Sequence, residues 1–210
     1  GMIGSSIALA SKSKGIKVYG FDKSNNSIKE ALEKNIIDSK VESILDINSK
    51  DFVKKVDLIL VAVPPKQTLD VLNDLKNIWN TDVTITDTSS VKNHIKLNGA
   101  SNIILSHPIA GSDQSGISAA NGDLFKNKKN VLCDPFNSKK GHFEKVDNFW
   151  KNALQMRTSS MSVSEHDLIF AMTSHLPHLV SYALIDSIRL SNHDVDDNAG
   201  GGLKEFLRLS

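Results

Sequence analysis

The feature that most restricts the fold of this chain is an alternation. Short continuous apolar runs are separated by stretches of helical periodicity through the first two thirds of the sequence. Residues 3–10 read as a helix opening, and residues 17–21 as a strand that ends at Asp22. Residues 27–37 read as a helix with Ala31, Leu32, Ile36 and Ile37 on its apolar side. Residues 57–63 form an apolar strand stopped by Pro64-Pro65, and residues 68–79 a helix. Residues 83–86, 103–105 and 131–133 read as further strands. A strand that is apolar on both faces needs cover on both, and intervening helices supply it. The pattern predicts a doubly wound, Rossmann-type parallel sheet.

The alternation stops near Ser159. Ser162 and Glu165 have capping-box spacing, and residues 163–190 read as one long helical stretch without a strand signal. Pro177 inside it predicts a kink or break, because proline removes a donor and crowds the preceding turn. Two domains are therefore expected. Residues 1–158 form a dinucleotide-binding unit, and residues 159–210 start an all-α domain.

The first of these functions rests on residues at strand ends. Gly1-Met2-Ile3-Gly4 matches the last two glycines of G-x-G-x-x-G, where bare backbone approaches a pyrophosphate at a helix N-terminus. Alone, such a pair also fits an ordinary turn. Asp22 ends the next strand, at the spacing from which an acid binds the ribose hydroxyls of a dinucleotide. An acid there repels a 2′-phosphate, so NAD is favoured over NADP, although Lys23 follows directly. Val63 and Pro64 end another strand and are expected to line the same cleft, since ligands of doubly wound sheets lie beyond the strands' carboxyl ends.

Composition excludes several alternatives. Of the 210 residues 40% are apolar, enough for a sizeable core, and the net charge of +1 offers no electrostatic reason to expect nucleic acid. One cysteine, Cys133, rules out a disulfide framework within the chain and fits a reduced cytoplasmic setting. Uninterrupted apolar runs such as residues 58–63 are too short to cross a bilayer, so no membrane association is expected. His175 and His178, spaced i, i+3, share a helix face but lack an accompanying carboxylate motif, so no metal site is expected.

Four segments remain: Thr86-Asp87-Thr88-Ser89-Ser90-Val91-Lys92, the run from Ser106-His107-Pro108 to Ser115-Gly116, Ser174-His175-Leu176-Pro177-His178, and the closing run from Gly200 to Ser210. In this order they resemble the signatures of the prephenate/arogenate dehydrogenases, with Leu207 in place of a usual threonine. The resemblance spans the chain. It implies oxidative decarboxylation of prephenate or arogenate, with hydride transfer to NAD, in tyrosine biosynthesis. By the same resemblance His107 takes the ring-hydroxyl proton, and Ser90 holds the hydroxyl, the imidazole or the nicotinamide in register. His178, with His175 behind it, contacts the substrate. Arg208 binds the side-chain carboxylate, and Asp113 sits at the cleft mouth. Read without the family, Ser90 equally caps a helix beginning at Val91, His107 equally serves as a structural histidine, and Arg208 equally lies solvated. Family members begin with a strand that carries the first glycine and continue into further dimerising helices. A chain shortened at both ends, from a homodimer joined through the helical domain, is therefore expected. Two competing readings remain: another NAD(P)-dependent dehydrogenase of 6-phosphogluconate dehydrogenase-like architecture, and a dinucleotide-binding fragment without activity.

Overall fold

The computed structural model describes residues 1–111, 114–191 and 200–203. The chain forms two units, Gly1–Val163 and Ser164–Ser210. The first unit runs α1 (Met2–Lys12), β1 (Tyr19–Gly20), α2 (Asn25–Glu33), β2 (Ser39–Lys40), α3 (Ile44–Ile47), α4 (Lys50–Val53), β3 (Leu58–Val61), α5 (Pro65–Asp74), β4 (Thr84–Asp87), β5 (Ile103–Ile109), β6 (Lys129–Cys133), α6 (His142–Asn148) and β7 (Arg157–Ser160). β1 and β2 pair as a parallel two-stranded sheet. The main sheet has the order β3-β4-β5-β6-β7.

The expectation of a uniformly parallel sheet needs one correction. β3–β4, β4–β5 and β6–β7 are parallel, but β6 runs antiparallel to β5, with His107 opposite Val131. Strand direction follows the connection. Residues 114–128 form turns, so no crossover helix returns the chain to the starting edge of the sheet. Between β6 and β7, α6 and the π turn Phe149–Ala153 form such a crossover, and parallel pairing resumes. β7, Arg-Thr-Ser-Ser, has no apolar signature, so the expected boundary at residue 158 falls inside a sheet strand.

Helix ends also differ from their expected places, for local reasons. Ser24 caps α2 by accepting the Ser27 N–H, and the helix stops at Glu33 because Asn35 takes a left-handed conformation (φ 54°). Ile36 and Ile37 therefore lie past the helix, where they pack with Ala8, Ala31 and Ile117. α5 begins at Pro65, whose missing N–H costs nothing in a first helical turn. No helix starts at Val91, so Ser90 is not a cap. β5 continues through His107 to Ile109, so His107 lies within a strand rather than after one.

Burial fixes the frame. Ile85, Ile103, Ile104 and Leu105 are fully inaccessible, each such side chain contributing about 1.5–3 kcal/mol. α1 is narrow, with Ser5, Ser6, Ala8, Ala10 and Ser11 buried. Its Ile7 and Ala10 join a core containing Ile104, Phe125, Leu132, Val146 and Trp150. A side chain at Gly4 would meet the Ala62 Cβ at 3.3 Å, so glycine there lets α1 lie close against the end of β3.

The second unit contains α7 (Val163–Phe170), the π turn Ala171–His175 and α8 (Leu176–Leu190). The break expected from Pro177 takes the form of that π turn, which widens the backbone just ahead of a residue that cannot donate. The resulting 28-residue helix, Val163–Leu190, is long and apolar enough to cross a membrane on length and composition alone. Scattered polar residues divide it in the sequence, so no uninterrupted apolar run marks it. Leu168, Met172, Leu176, Leu179, Tyr182 and Leu190 are exposed on it.

Candidate active site

The carboxyl ends of β3 and β4, the outer part of β5 and the N-terminus of α1 converge on a cavity of about 450 Å³. Gly1, Met2 and Ile3 line it from α1, and Val63 and Pro64 from the β3–α5 turn. Ser90 follows β4, and His107 and Pro108 project from β5. Of the residues singled out in the sequence, seven therefore border one space: Gly1, Met2, Ile3, Val63, Pro64, Ser90 and His107.

The cavity's electrostatics suit an anion at one end. The first N–H groups of α1 have no acceptor within the helix, and the helix dipole adds a partial positive charge there. A Cβ built on Gly1 meets no atom within 4 Å, so that backbone is open to a close approach. Gly4 lies behind, against Ala62. Asp22 Oδ2 lies 3.6 Å from the Gly1 nitrogen, while its Oδ1 accepts the Ser24 N–H at 2.8 Å. A glycine-bearing helix start with a carboxylate beside it fits a dinucleotide's pyrophosphate and ribose. The remaining wall is largely apolar, including Met2, Ile3, Ala62, Val63 and Pro108.

Behind His107 and Ser90 lies a buried polar network that sequence reading did not assign. Lys92 and Asp87 form an ion pair at 2.6 Å, both side chains fully buried. Lys92 Nζ donates to the Ser106 carbonyl at 2.5 Å, and Asp87 Oδ1 accepts the Ser106 N–H at 3.0 Å. Asp87 Oδ2 also accepts the Ser89 N–H at 2.9 Å. Ser106 Oγ bonds Thr86 Oγ1 at 2.7 Å and accepts Trp150 Nε1–H at 3.0 Å. Asp87 and Lys92 stand in the quoted T-D-x-x-S-V-K run, but nothing in their spacing separates a buried pair from two solvated charges.

The remaining expected site residues belong to the second unit or lie outside the described residues. His175 closes the π turn of the second unit, and His178 lies in the first turns of α8. His178 Nδ1–H donates to the Ser174 carbonyl at 2.7 Å, which fixes the tautomer of a neutral ring with Nε2 as its acceptor nitrogen. Asp113 and Arg208 lie outside the described residues.

Comparison with known proteins adds the following. Residues 7–155 match the family described as prephenate dehydrogenase, nucleotide-binding domain. Residues 162–210 match prephenate dehydrogenase, dimerization domain. A prephenate dehydrogenase of Bacillus subtilis is 30% identical, over 100% of this chain and 58% of its own length. A cyclohexadienyl dehydrogenase of Zymomonas mobilis is 31% identical, over 90% of this chain and 64% of its own length. The chain thus spans less than two thirds of these relatives. The crystal structure of prephenate dehydrogenase from Aquifex aeolicus, in complex with hydroxyphenyl propionate and NAD+, superposes with a TM-score of 0.85 at 29% identity. It covers 99% of this chain and 74% of that one. Arogenate dehydrogenase of Synechocystis shares the fold, with a TM-score of 0.81 at 23% identity over 99% of this chain and 75% of its own.

Proposed function

Because the chain belongs to the prephenate dehydrogenase family, we propose that it carries out the oxidative decarboxylation of prephenate or arogenate with NAD. The products are 4-hydroxyphenylpyruvate and tyrosine respectively. The observation that carries the reading is the meeting of His107 and Ser90 with the glycine-bearing start of α1 on one cavity. NAD, when bound, supplies the hydride acceptor. The first-turn N–H groups at Met2, Ile3 and Gly4 hold its pyrophosphate, Asp22 a ribose, and Val63 and Pro64 the wall beside it.

The chain's own groups handle a proton and a charge. Hydride leaves the hydroxyl-bearing ring carbon, and the hydroxyl proton passes to the imidazole of His107. The bond to the ring carboxylate breaks, carbon dioxide departs, and its electron pair completes the aromatic ring as the ring oxygen takes the proton back from the His107 imidazolium. A neutral imidazole suits this near pH 7. Ser90 holds the hydroxyl in line with it. His175, His178, Arg208 and Asp113 belong to the same reading as substrate-binding residues. Arg208 takes the side-chain carboxylate, because a planar guanidinium orients as well as neutralises it. Replacing Arg208 with Ala removes a contact made in ground and transition states alike, so KM should rise by about ten- to a hundredfold at nearly constant kcat.

The apolar face of Val163–Leu190 is proposed to pack on a second copy of the chain rather than on lipid, in keeping with the dimerization-domain match. A cytoplasmic, soluble dimer follows from that proposal. The test of the reaction is the full chain with prephenate or arogenate and NAD, followed by NADH absorbance. No NADH formation with either substrate would overturn it.

A further inference from the structure

We infer that the buried Asp87–Lys92 pair is a positioning device that replaces sheet pairing beyond the end of β4 and fixes His107 relative to Ser90. The reasoning begins with register. Parallel pairing between β4 and β5 ends at Thr86 opposite Ile104, yet β5 runs on to Ile109 with, among the described residues, β6 alone beside it. The stretch that carries His107 to the cavity therefore has one neighbouring strand instead of two. An unpaired buried N–H or C=O costs free energy comparable to a lost hydrogen bond.

The ion pair fills that gap. Asp87 accepts the Ser106 N–H and Lys92 donates to the Ser106 carbonyl, so two side chains supply what a further residue of β4 would have offered. Thr86 and Trp150 hold the Ser106 hydroxyl. Pro108 completes the pattern. It has the same parity as Ser106 along the strand, so its missing N–H faces the side where β4 has ended. The other Asp87 oxygen accepts the Ser89 N–H, and Ser89 Oγ donates to the Val91 carbonyl at 2.9 Å. One buried carboxylate thus ties the turn that presents Ser90 to the strand that presents His107.

Two unlike charges suit this task better than two neutral groups. The carboxylate accepts several N–H groups at once, and the ammonium donates to the carboxylate and a carbonyl together. Neither group is accessible, so both act through their neighbours rather than on substrate. The inference rests on the proposed roles of His107 and Ser90. Its test is arranged so that the two can fail separately.

Lys92→Met alone leaves a buried carboxylate unmatched and is expected to cost folding. The informative variant is therefore Asp87→Asn with Lys92→Met in the full chain, which keeps the shape and removes both charges. It should melt cooperatively and bind NAD as the unmutated protein does. With prephenate, kcat should fall about 10- to 100-fold at nearly constant KM, the scale of a small misplacement of a reacting group. In the absence of any ligand, the imidazole resonances of His107 should shift and its NMR titration midpoint should move. A folded double variant with unchanged kcat and an unchanged His107 titration would overturn the inference. If the unmutated full chain forms no NADH, the proposed reaction falls, and the His107 titration still decides whether the pair positions that residue.

Discussion

The inner strand β5, which carries His107 to the cavity, and the long second-unit helix draw on the same apolar residue types, yet they end in opposite states. Ile103, Ile104 and Leu105 on β5 are wholly inaccessible. Leu176, Leu179 and Leu190 on α8 are 54%, 64% and 82% exposed. The first region closes on itself, and even its charges are paired inside. The second presents a continuous apolar surface larger in kind than the scattered exposed leucines of ordinary monomers. The difference separates a strand whose side chains pack on one another from a helix whose apolar side chains, among the described residues, stay exposed.

The largest effect should come from the cavity. His107→Asn keeps some hydrogen bonding but removes the base, so kcat should fall by about 10²–10⁴-fold with little change in KM. The ionisation near neutral pH in the kcat profile should vanish with it. Steady-state kinetics across pH decide this, and a raised KM with an intact kcat profile would make His107 a binding residue.

The long helix gives the next effect. Leu179→Glu places a charge on the apolar face, and a leucine contributes roughly 1.5–3 kcal/mol on burial. The dimer dissociation constant should rise about a hundredfold, read by sedimentation, while NAD binding to the first unit stays as it was. An unaltered dimer would place the interface elsewhere.

A smaller change tests the cavity's rim. Asp22→Ser should weaken NAD about tenfold and relax its preference over NADP, because one charged hydrogen bond is lost. Equal kcat/KM for the two cofactors in the unmutated enzyme would remove Asp22 from that role.

The smallest concerns pH and lies away from the cavity. His142 starts α6 and meets Thr84 Oγ1 at 2.8 Å. Burial first, and then the nearby Lys145 charge, hold its pKa below the usual 6.5. The unfolded chain therefore binds the proton more readily, and stability falls as pH drops below 6.5, until the depressed folded value is passed. His142→Gln should flatten that part of the Tm-against-pH curve. The difference should be at most about 4 °C, the scale of 1 kcal/mol for a chain of this size. A curve of unchanged slope would assign the acid sensitivity to other groups.

Much of this contrast was legible beforehand, and the misses have physical causes. Strands β3, β4 and β5 declare themselves through the apolar residues they carry, Leu58–Val61, Ile85 and Ile103–Leu105. β7 does not, because an edge strand is held by backbone bonds that Arg-Thr-Ser-Ser makes as well as any sequence. Gly1, Val63 and Ser90 are legible from motifs that place them at a helix start and after strands, and His107 from its own motif, although it lies inside β5. Ser106 and Trp150 carried no such mark, since a buried serine and an indole look the same in sequence whether or not they brace a neighbour.

By itself the sequence determined the fold class, the family and which residues to expect at the site. Alternating apolar runs specify a covered sheet, a glycine pair with Asp22 specifies a nucleotide end, and four ordered motifs specify the family. Tertiary structure alone decided how these residues act. The direction of β6 depends on the path between strands, the length of β5 on where β4 stops, and the burial of Asp87 and Lys92 on each finding the other. Local periodicity reports which face of an element avoids water. It carries no record of which distant partner completes a backbone or neutralises a charge, because that free energy arises only when segments far apart in the chain are brought into contact.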